Sequence, residues 1–247
     1  MVGSKEIPAR ERLIVALDVD THEEAHALVE RLGDAVWFYK VGLQLFMAGN
    51  HLELISWLRA RDKKVFVDLK FFDVPETVAR AVRRMRDCGA EFATIHGNDA
   101  MMAAAAAVER TQLKLLAVTV LTSLDRGDLV DLGFPEAVSV EQLVLSRARR
   151  ALAHGCDGVI SSGLEALALR GELGDRFLVV SPGIRPVENR SEDDQKRIMT
   201  PERALRSGAD YLVVGRPIRD AANPYEAALA IQHTIQGVVS VGQRIRD

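Results

Sequence analysis

Cysteine is scarce in this sequence. Cys88 and Cys156 are the two among 247 residues, and they stand far apart without a CxxC spacing. That argues against a disulfide scaffold and a structural zinc, and it suits a reducing cytosol. An excess of charge of one sign is missing too. A net charge of −3 gives no general reason to expect nucleic acid or an anionic membrane surface as a partner. No apolar run approaches the roughly 20 residues that span a bilayer. The opening stretch MVGSKEIPARER lacks the apolar segment of a signal peptide, so a soluble, cytoplasmic protein is expected. Two nucleotide-binding signatures are also absent: no GxGxxG follows the first strand candidate, and no GxxxxGK[ST] occurs anywhere. Both absences weigh against a doubly wound sheet, the main structural alternative for a chain of this pattern.

What is present is alternation. Short β-rich runs occur at 13–19, 37–41, 64–70, 92–96, 113–121, 158–161, 177–181 and 211–214. Between and after them, segments with helical spacing or helix starts cover 23–32, 52–61, 75–88, 100–110, 140–154, 164–173, 201–207 and 224–239. Regular strand–helix alternation implies a parallel sheet with right-handed crossovers, and eight units in about 250 residues are the size of a (β/α)8 TIM barrel. At 48% hydrophobic residues the chain can bury such a core. No Pro/Gly/Ser-rich linker interrupts it, so one domain is expected over 13–247, preceded by a flexible segment, 1–12. Two connections, 122–139 and 183–200, are longer than a strand-to-helix loop requires. Both follow a strand, which in this fold puts them on the C-terminal face where active sites lie.

The segment KVFVDLKFFDVPET, residues 64–77, carries the strongest chemical signal. Strand period two places Asp68 and Lys70 on one face, and ions seldom occupy a strand interior unless paired, because taking one out of water costs several kcal/mol. The other strand ends add Asp18, Lys40, Thr122, Arg185 and Arg216. Plainer roles compete for some of these. Asp20, with Glu23 and Glu24 following, reads as a helix cap, and Asp73, followed by Pro75 and Glu76, stays open between cap and catalyst. Lys40 could pair structurally with Asp18 or Asp68. His96 ends a strand without a second histidine or carboxylate at ligand spacing, and reads as structural. The turns SPGIRP and VVGRP place glycine N–H groups beside a guanidinium after strands seven and eight, which are the equipment and place for a phosphate dianion.

Taken in order, LIVALDVD, the D-x-K-x-x-D-[IV]-P pattern formed by Asp68, Lys70, Asp73, Val74 and Pro75, then AVTVLTS, PGIRP, DDQKRIMTP and VVGRP, the chain resembles the orotidine 5'-phosphate decarboxylase family over essentially its whole length. The resemblance implies a homodimeric barrel that needs no metal or organic cofactor and turns orotidine 5'-phosphate into UMP and CO2. Carried over by position, Asp18 would bind ribose or base, Lys40 and Asp68 would belong to a charged array, and Lys70 would donate the proton. Asp73 and Thr77 would reach into the neighbouring subunit's site. Thr122 would lie near the pyrimidine, and Arg185, Gln195, Gly215 and Arg216 would hold the phosphate and close a loop. Phe72 and Glu76 depart from the His and Asn often found in relatives; neither is a motif position. Two rivals share some of these features. A sugar-phosphate decarboxylase or aldolase on a related barrel would have the Asp-x-Lys strand but would be expected to bind Mg²⁺, and a nucleotide-phosphate sensor would keep the phosphate turns without the chemistry.

Overall fold

The computed structural model describes residues 5–186 and 198–244. Among these, eight parallel strands close into a barrel in sequence order, β1 pairing with both β2 and β8. The strands are β1 Leu13–Ala16, β2 Phe38–Gly42, β3 Lys64–Phe71, β4 Phe92–Ile95, β5 Lys114–Val118, β6 Gly158–Ile160, β7 Leu178–Ser181 and β8 Tyr211–Val214. The helices are α1 His22–Leu32, α2 Leu43–Met47, α3 His51–Arg59, α4 Pro75–Asp87, α5 Asp99–Ala106, α6 Arg126–Asp131, α7 Val140–Ala153, α8 Gly163–Leu173, α9 Pro201–Arg206, α10 Arg216–Arg219 and α11 Pro224–Arg244. The expected TIM barrel is therefore the observed fold. Strand pairing ends earlier than the apolar pattern suggests in β1 and β5, because Leu17 and Val120 remain buried in the core after the ladder has stopped. The long connection 122–139 contains α6, whose start is fixed by a reciprocal cap between Asp125 and Asp128.

Each strand is buried on both faces, as parallel sheets require. Leu13, Val15, Val41, Val65 and Val67 pack outward with the helices, while Ile14, Phe38, Phe66, Phe92, Leu116, Val180 and Tyr211 fill the interior. The Phe92 ring lies 4.9 Å from that of Phe38 and meets Tyr211 edge-on at 5.0 Å. Full burial of each such side chain contributes about 1.5–3 kcal/mol. The barrel is thus plugged by aromatic rings, and anything above the plug stands on an apolar floor. At the opposite, N-terminal end, Lys5 and Arg170 converge on Asp210 at 2.7 and 2.6 Å, and Lys64 meets Glu11 at 2.8 Å. No described helix is long and apolar enough to cross a membrane.

Candidate active site

Period two carries the inward face from the floor to the mouth. Ile14 and Ala16 lead to Asp18 just past the end of β1, Phe38 to Lys40 on β2, Phe66 to Asp68 on β3 and Phe92 to Thr94 on β4. The side chains that follow the plug are therefore polar, and they meet. Lys40 Nζ lies 3.0 Å from Asp18 Oδ1 and 3.7 Å from Asp68 Oδ2, while Lys70 Nζ lies 2.9 Å from Asp68 Oδ1. Signs alternate along the row Asp18, Lys40, Asp68, Lys70. Lys40, left open between two partners by its sequence position, has both. A unit pair at about 4 Å is worth roughly 4 kcal/mol at an effective dielectric near 20. Asp68 is the pivot. Burial by itself would raise its pKa, but the charges of Lys40 and Lys70, with hydrogen bonds from Lys70 and Thr94, outweigh burial and hold the carboxyl below its usual range.

Asp68 and Lys70 do meet, but not by regular strand geometry. Lys70 has φ +51°, a left-handed conformation that costs a non-glycine residue about 1–2 kcal/mol. The pairing of β3 with β4 runs Phe66 with Phe92 and Val67 with Ala93, then jumps to Phe71 with Ile95. Two extra residues of β3 bulge out of the ladder there, as strands do where a side chain must be re-aimed. Backbone pairing resumes where His96 N donates to Phe71 O at 2.9 Å.

These groups line one side of a cleft of about 540 Å³ at the C-terminal mouth; Thr122, Gly183, Arg185, Gly215, Arg216 and Arg219 line it elsewhere. Gly183 has φ +75°, which a side chain would strain. The base of the 183–200 connection is clipped by an Ile184–Met199 bridge, with Arg185 N donating to Met199 O and Met199 N to Gly183 O. Arg219 donates to the backbone carbonyl of Asp18 and pairs with Asp220 at 2.6 Å, tying the loop after β8 to the end of β1.

Asp18, Lys40, Asp68, Lys70, Thr122, Arg185, Gly215 and Arg216 thus come together in one cleft. Asp73 and Thr77 do not. Both are exposed and absent from the cleft lining, and Asp73 Oδ1 accepts from the N–H of Val74 at 2.6 Å. Phe72 and Val74 on either side are 71% and 63% exposed. Gln195 lies outside the described residues. Asp20 is not the cap of α1: Thr21 is, accepting from Glu24 N, while Glu24 accepts from Asp20 N and Gln44 reaches the Asp20 carboxylate. His96 stacks edge-on with Phe72 at 5.9 Å, and burial, with the charges of Arg147 and Lys70, lowers its pKa. Among the described residues, no three His, Cys, Asp or Glu side chains are grouped so as to hold a metal ion.

Three residues of the site escaped the sequence reading. Thr94 bonds both the Lys70 backbone and Asp68. Gly42 matters by what it lacks, since a Cβ there would stand 2.9 Å from Lys40 Nζ and 3.1 Å from Asp18 Oδ1. Arg219 sits three residues beyond Arg216 in VVGRPIRD. A polar residue at the inward parity of β4 was the available signal for Thr94; a single glycine after β2 carried none for Gly42.

Fold and candidate site together define a (β/α)8 barrel of the enzyme type, with a charged cleft above an apolar plug. A family model described as orotidine 5'-phosphate decarboxylase / HUMPS family matches residues 11–231. A protein of Methylococcus capsulatus named orotidine 5'-phosphate decarboxylase is 64% identical over 241 residues, 98% of each chain, and one of Rhodopseudomonas palustris with the same name is 52% identical over 90% of this chain and 93% of its own. A crystal structure of orotidine 5'-phosphate decarboxylase from Lactobacillus acidophilus superposes with a TM-score of 0.79 at 36% identity, covering 91% of this chain and 99% of that one. The chain belongs to the orotidine 5'-phosphate decarboxylase / HUMPS family, and its activity class is that of a decarboxylase.

Proposed function

We propose that this chain decarboxylates orotidine 5'-phosphate to UMP and CO2 in pyrimidine biosynthesis, without metal or organic cofactor, by means of its alternating charges. The observation that carries the reading is the row Asp18, Lys40, Asp68, Lys70, linked at 3.0, 3.7 and 2.9 Å, in the same cleft as Arg185, Gly215 and Arg216. Breaking the bond between C6 and the carboxylate leaves an electron pair on C6 that the ring cannot delocalise as an ordinary enolate. Stabilisation must then come from fixed charge and prompt protonation. Lys70 supplies both: its ammonium faces the developing carbanion, gives a proton to C6 and recovers one from water. Asp68 beside the substrate carboxylate opposes the bound ground state, and that repulsion disappears as neutral CO2 leaves. Phosphate contacts at Arg185, Gly215 and Arg216, with Gln195, are remote from C6, so their binding energy serves to hold the reacting carbon against the array. Asp18 takes the ribose or base, and Thr122 the pyrimidine.

The array is completed by a second copy of the chain in this reading. Asp73 and Thr77 lie outside their own cleft, and the exposed Phe72 and Val74 beside Asp73, with Leu43 and Met47 at 64% and 74% exposure in α2, which follows the neighbouring β2, are apolar surface suited to a partner. The enzyme so formed is a cytoplasmic homodimer with the order Lys40, Asp68, Lys70 and the partner's Asp73. The test is the loss of orotidylate's ultraviolet absorbance on adding purified protein, with and without EDTA. Turnover is expected in both. Loss of orotidylate turnover under EDTA would overturn the metal-free reading, absence of turnover in both would favour the Mg²⁺-dependent sugar-phosphate rival, and tight UMP binding without turnover would favour a sensor.

A further inference from the structure

Thr94 is fully buried on β4, and its hydroxyl lies between two groups whose bonding needs are fixed. The N–H of Lys70 can only donate, and it does so to Thr94 Oγ1 at 2.9 Å. The Asp68 carboxylate can only accept, and Thr94 Oγ1 lies 2.9 Å from its Oδ1. The hydroxyl proton therefore points to Asp68 while a lone pair faces Lys70. The bulge explains the need. Between the pairings Val67 with Ala93 and Phe71 with Ile95, β3 leaves the ladder, and at the left-handed Lys70 the N–H, which strand parity would aim at β2, turns to β4 and meets a side chain instead of a backbone carbonyl. A buried donor without a partner is costly; the hydroxyl replaces the missing acceptor and holds Lys70 at φ +51°.

We propose that Thr94 is a positioning residue that locks the Lys70 backbone and the Asp68 carboxylate into one geometry, so that the ammonium stands where C6 is to be protonated. The inference rests on the reading of Lys70 as proton donor. Oδ1 of Asp68 is shared, taking Thr94 and Lys70 Nζ, both at 2.9 Å, so losing the hydroxyl frees the carboxylate to rotate and carries the lysine with it. The phosphate end is not touched by Thr94, so a change there should affect the chemical step and leave binding alone.

The test compares Thr94→Val, which keeps the branched shape and removes the hydroxyl, with Thr94→Ser, which keeps the hydroxyl. The Val variant is expected to lose about ten- to a hundredfold in kcat, the scale of a misplacement near 1 Å, while affinity for UMP changes by less than about twofold. Thr94→Ser should stay within about threefold of wild type in both. Amide exchange at Lys70, followed by NMR without substrate, should be slow in wild type and Thr94→Ser and at least about tenfold faster in Thr94→Val. Unchanged kcat and unchanged exchange in a folded Thr94→Val protein overturn the proposal, as does a Ser variant as impaired as Val, or an equal loss of kcat and UMP affinity. Wild-type protein that fails to turn over orotidylate overturns the functional reading instead, and the exchange measurement still decides the hydrogen bond.

Discussion

Replacing Gly42 by alanine adds one methyl group at the closest approach in the site. Gly42 has φ −98° and ψ −176°, extended values that any residue adopts, so the backbone raises no objection. The objection is contact: the new Cβ would stand 2.9 Å from Lys40 Nζ and 3.1 Å from Asp18 Oδ1, well inside the roughly 3.5 Å at which such atoms rest. The ammonium ends a flexible side chain and yields, by about 0.6 Å. If the 3.0 Å separation of Lys40 and Asp18 lengthens by that amount, the attraction falls by about 1 kcal/mol at an effective dielectric near 20. That alone is about a fivefold loss in kcat/KM, and misplacement of Lys40 against Asp68 can carry the loss toward a hundredfold. Global stability should change little, because alanine restricts the unfolded chain and gains about 0.4–1 kcal/mol on that account. The assay is kcat/KM for orotidylate beside a urea denaturation curve. Gly171→Ala is the control, since a Cβ at that position within α8 meets nothing within 4 Å; it should stabilise the protein by about 1 kcal/mol and leave turnover alone. A folded Gly42→Ala protein with wild-type kcat/KM would refute the claim that the absent side chain sets the spacing of the array.

Lys70→Ala should abolish nearly all turnover while nucleotide binding stays measurable, and retention of more than about a tenth of wild-type turnover would remove the lysine from the role of acid. Mixed with Asp73→Ala under conditions of verified subunit exchange, it should restore activity to roughly a quarter of sites, because half the dimers are mixed and each has one intact site; no recovery would return Asp73 to its own chain. Arg216→Ala should weaken orotidylate and UMP strongly but orotidine hardly at all, and equal losses for both would move Arg216 out of the phosphate site. Asp68, with its pKa depressed below the ordinary 3.8, contributes stability that is present above that value and is lost as pH falls through the lower folded one. Urea midpoints should therefore show Asp68→Asn destabilised against wild type near about pH 7, with the gap narrowing below about pH 4; an unchanged gap would contradict the ion-pair origin of the shift.

The barrel was legible because its periodicities are strong and local. Apolar runs at 64–70 and 211–214 and the helical spacing of 75–88 report burial against neighbours that any barrel of this size must supply, so strand count and order followed. Ladder ends were less legible, since Leu17 and Val120 are as apolar as strand residues yet lie past the last pairing. Helix α6 hid in a connection read as loop; its cap depends on Asp125 and Asp128 bonding each other's backbone, and the acid spacing in LDRGD is too short a signal to outweigh the Gly within it.

The site was legible as a set of residues and not as a geometry. Their positions at strand ends brought Asp18, Lys40 and Asp68 to one mouth of the barrel, and they face inward because each continues a regular strand above Ile14, Phe38 and Phe66. For Lys70 strand parity gave the right neighbour for the wrong reason. A regular strand would turn the Lys70 N–H toward β2, the side to which Lys64 N donates, and leave the residue at negative φ; instead the ladder with β4 skips two residues and φ is +51°. Nothing in KVFVDLKFFDVPET announces this, since no glycine, asparagine or aspartate marks the left-handed position. The conformation costs about 1–2 kcal/mol, and what offsets it lies on another strand: the Thr94 hydroxyl at 2.9 Å and, through it, Asp68. Strain at a lysine that a regular strand would have avoided, held by a hydroxyl some two dozen residues away, is intelligible if the placement of the ammonium matters more than the stability of β3. A sequence records which residues are present at such a place, whereas the strain is visible only where two strands meet.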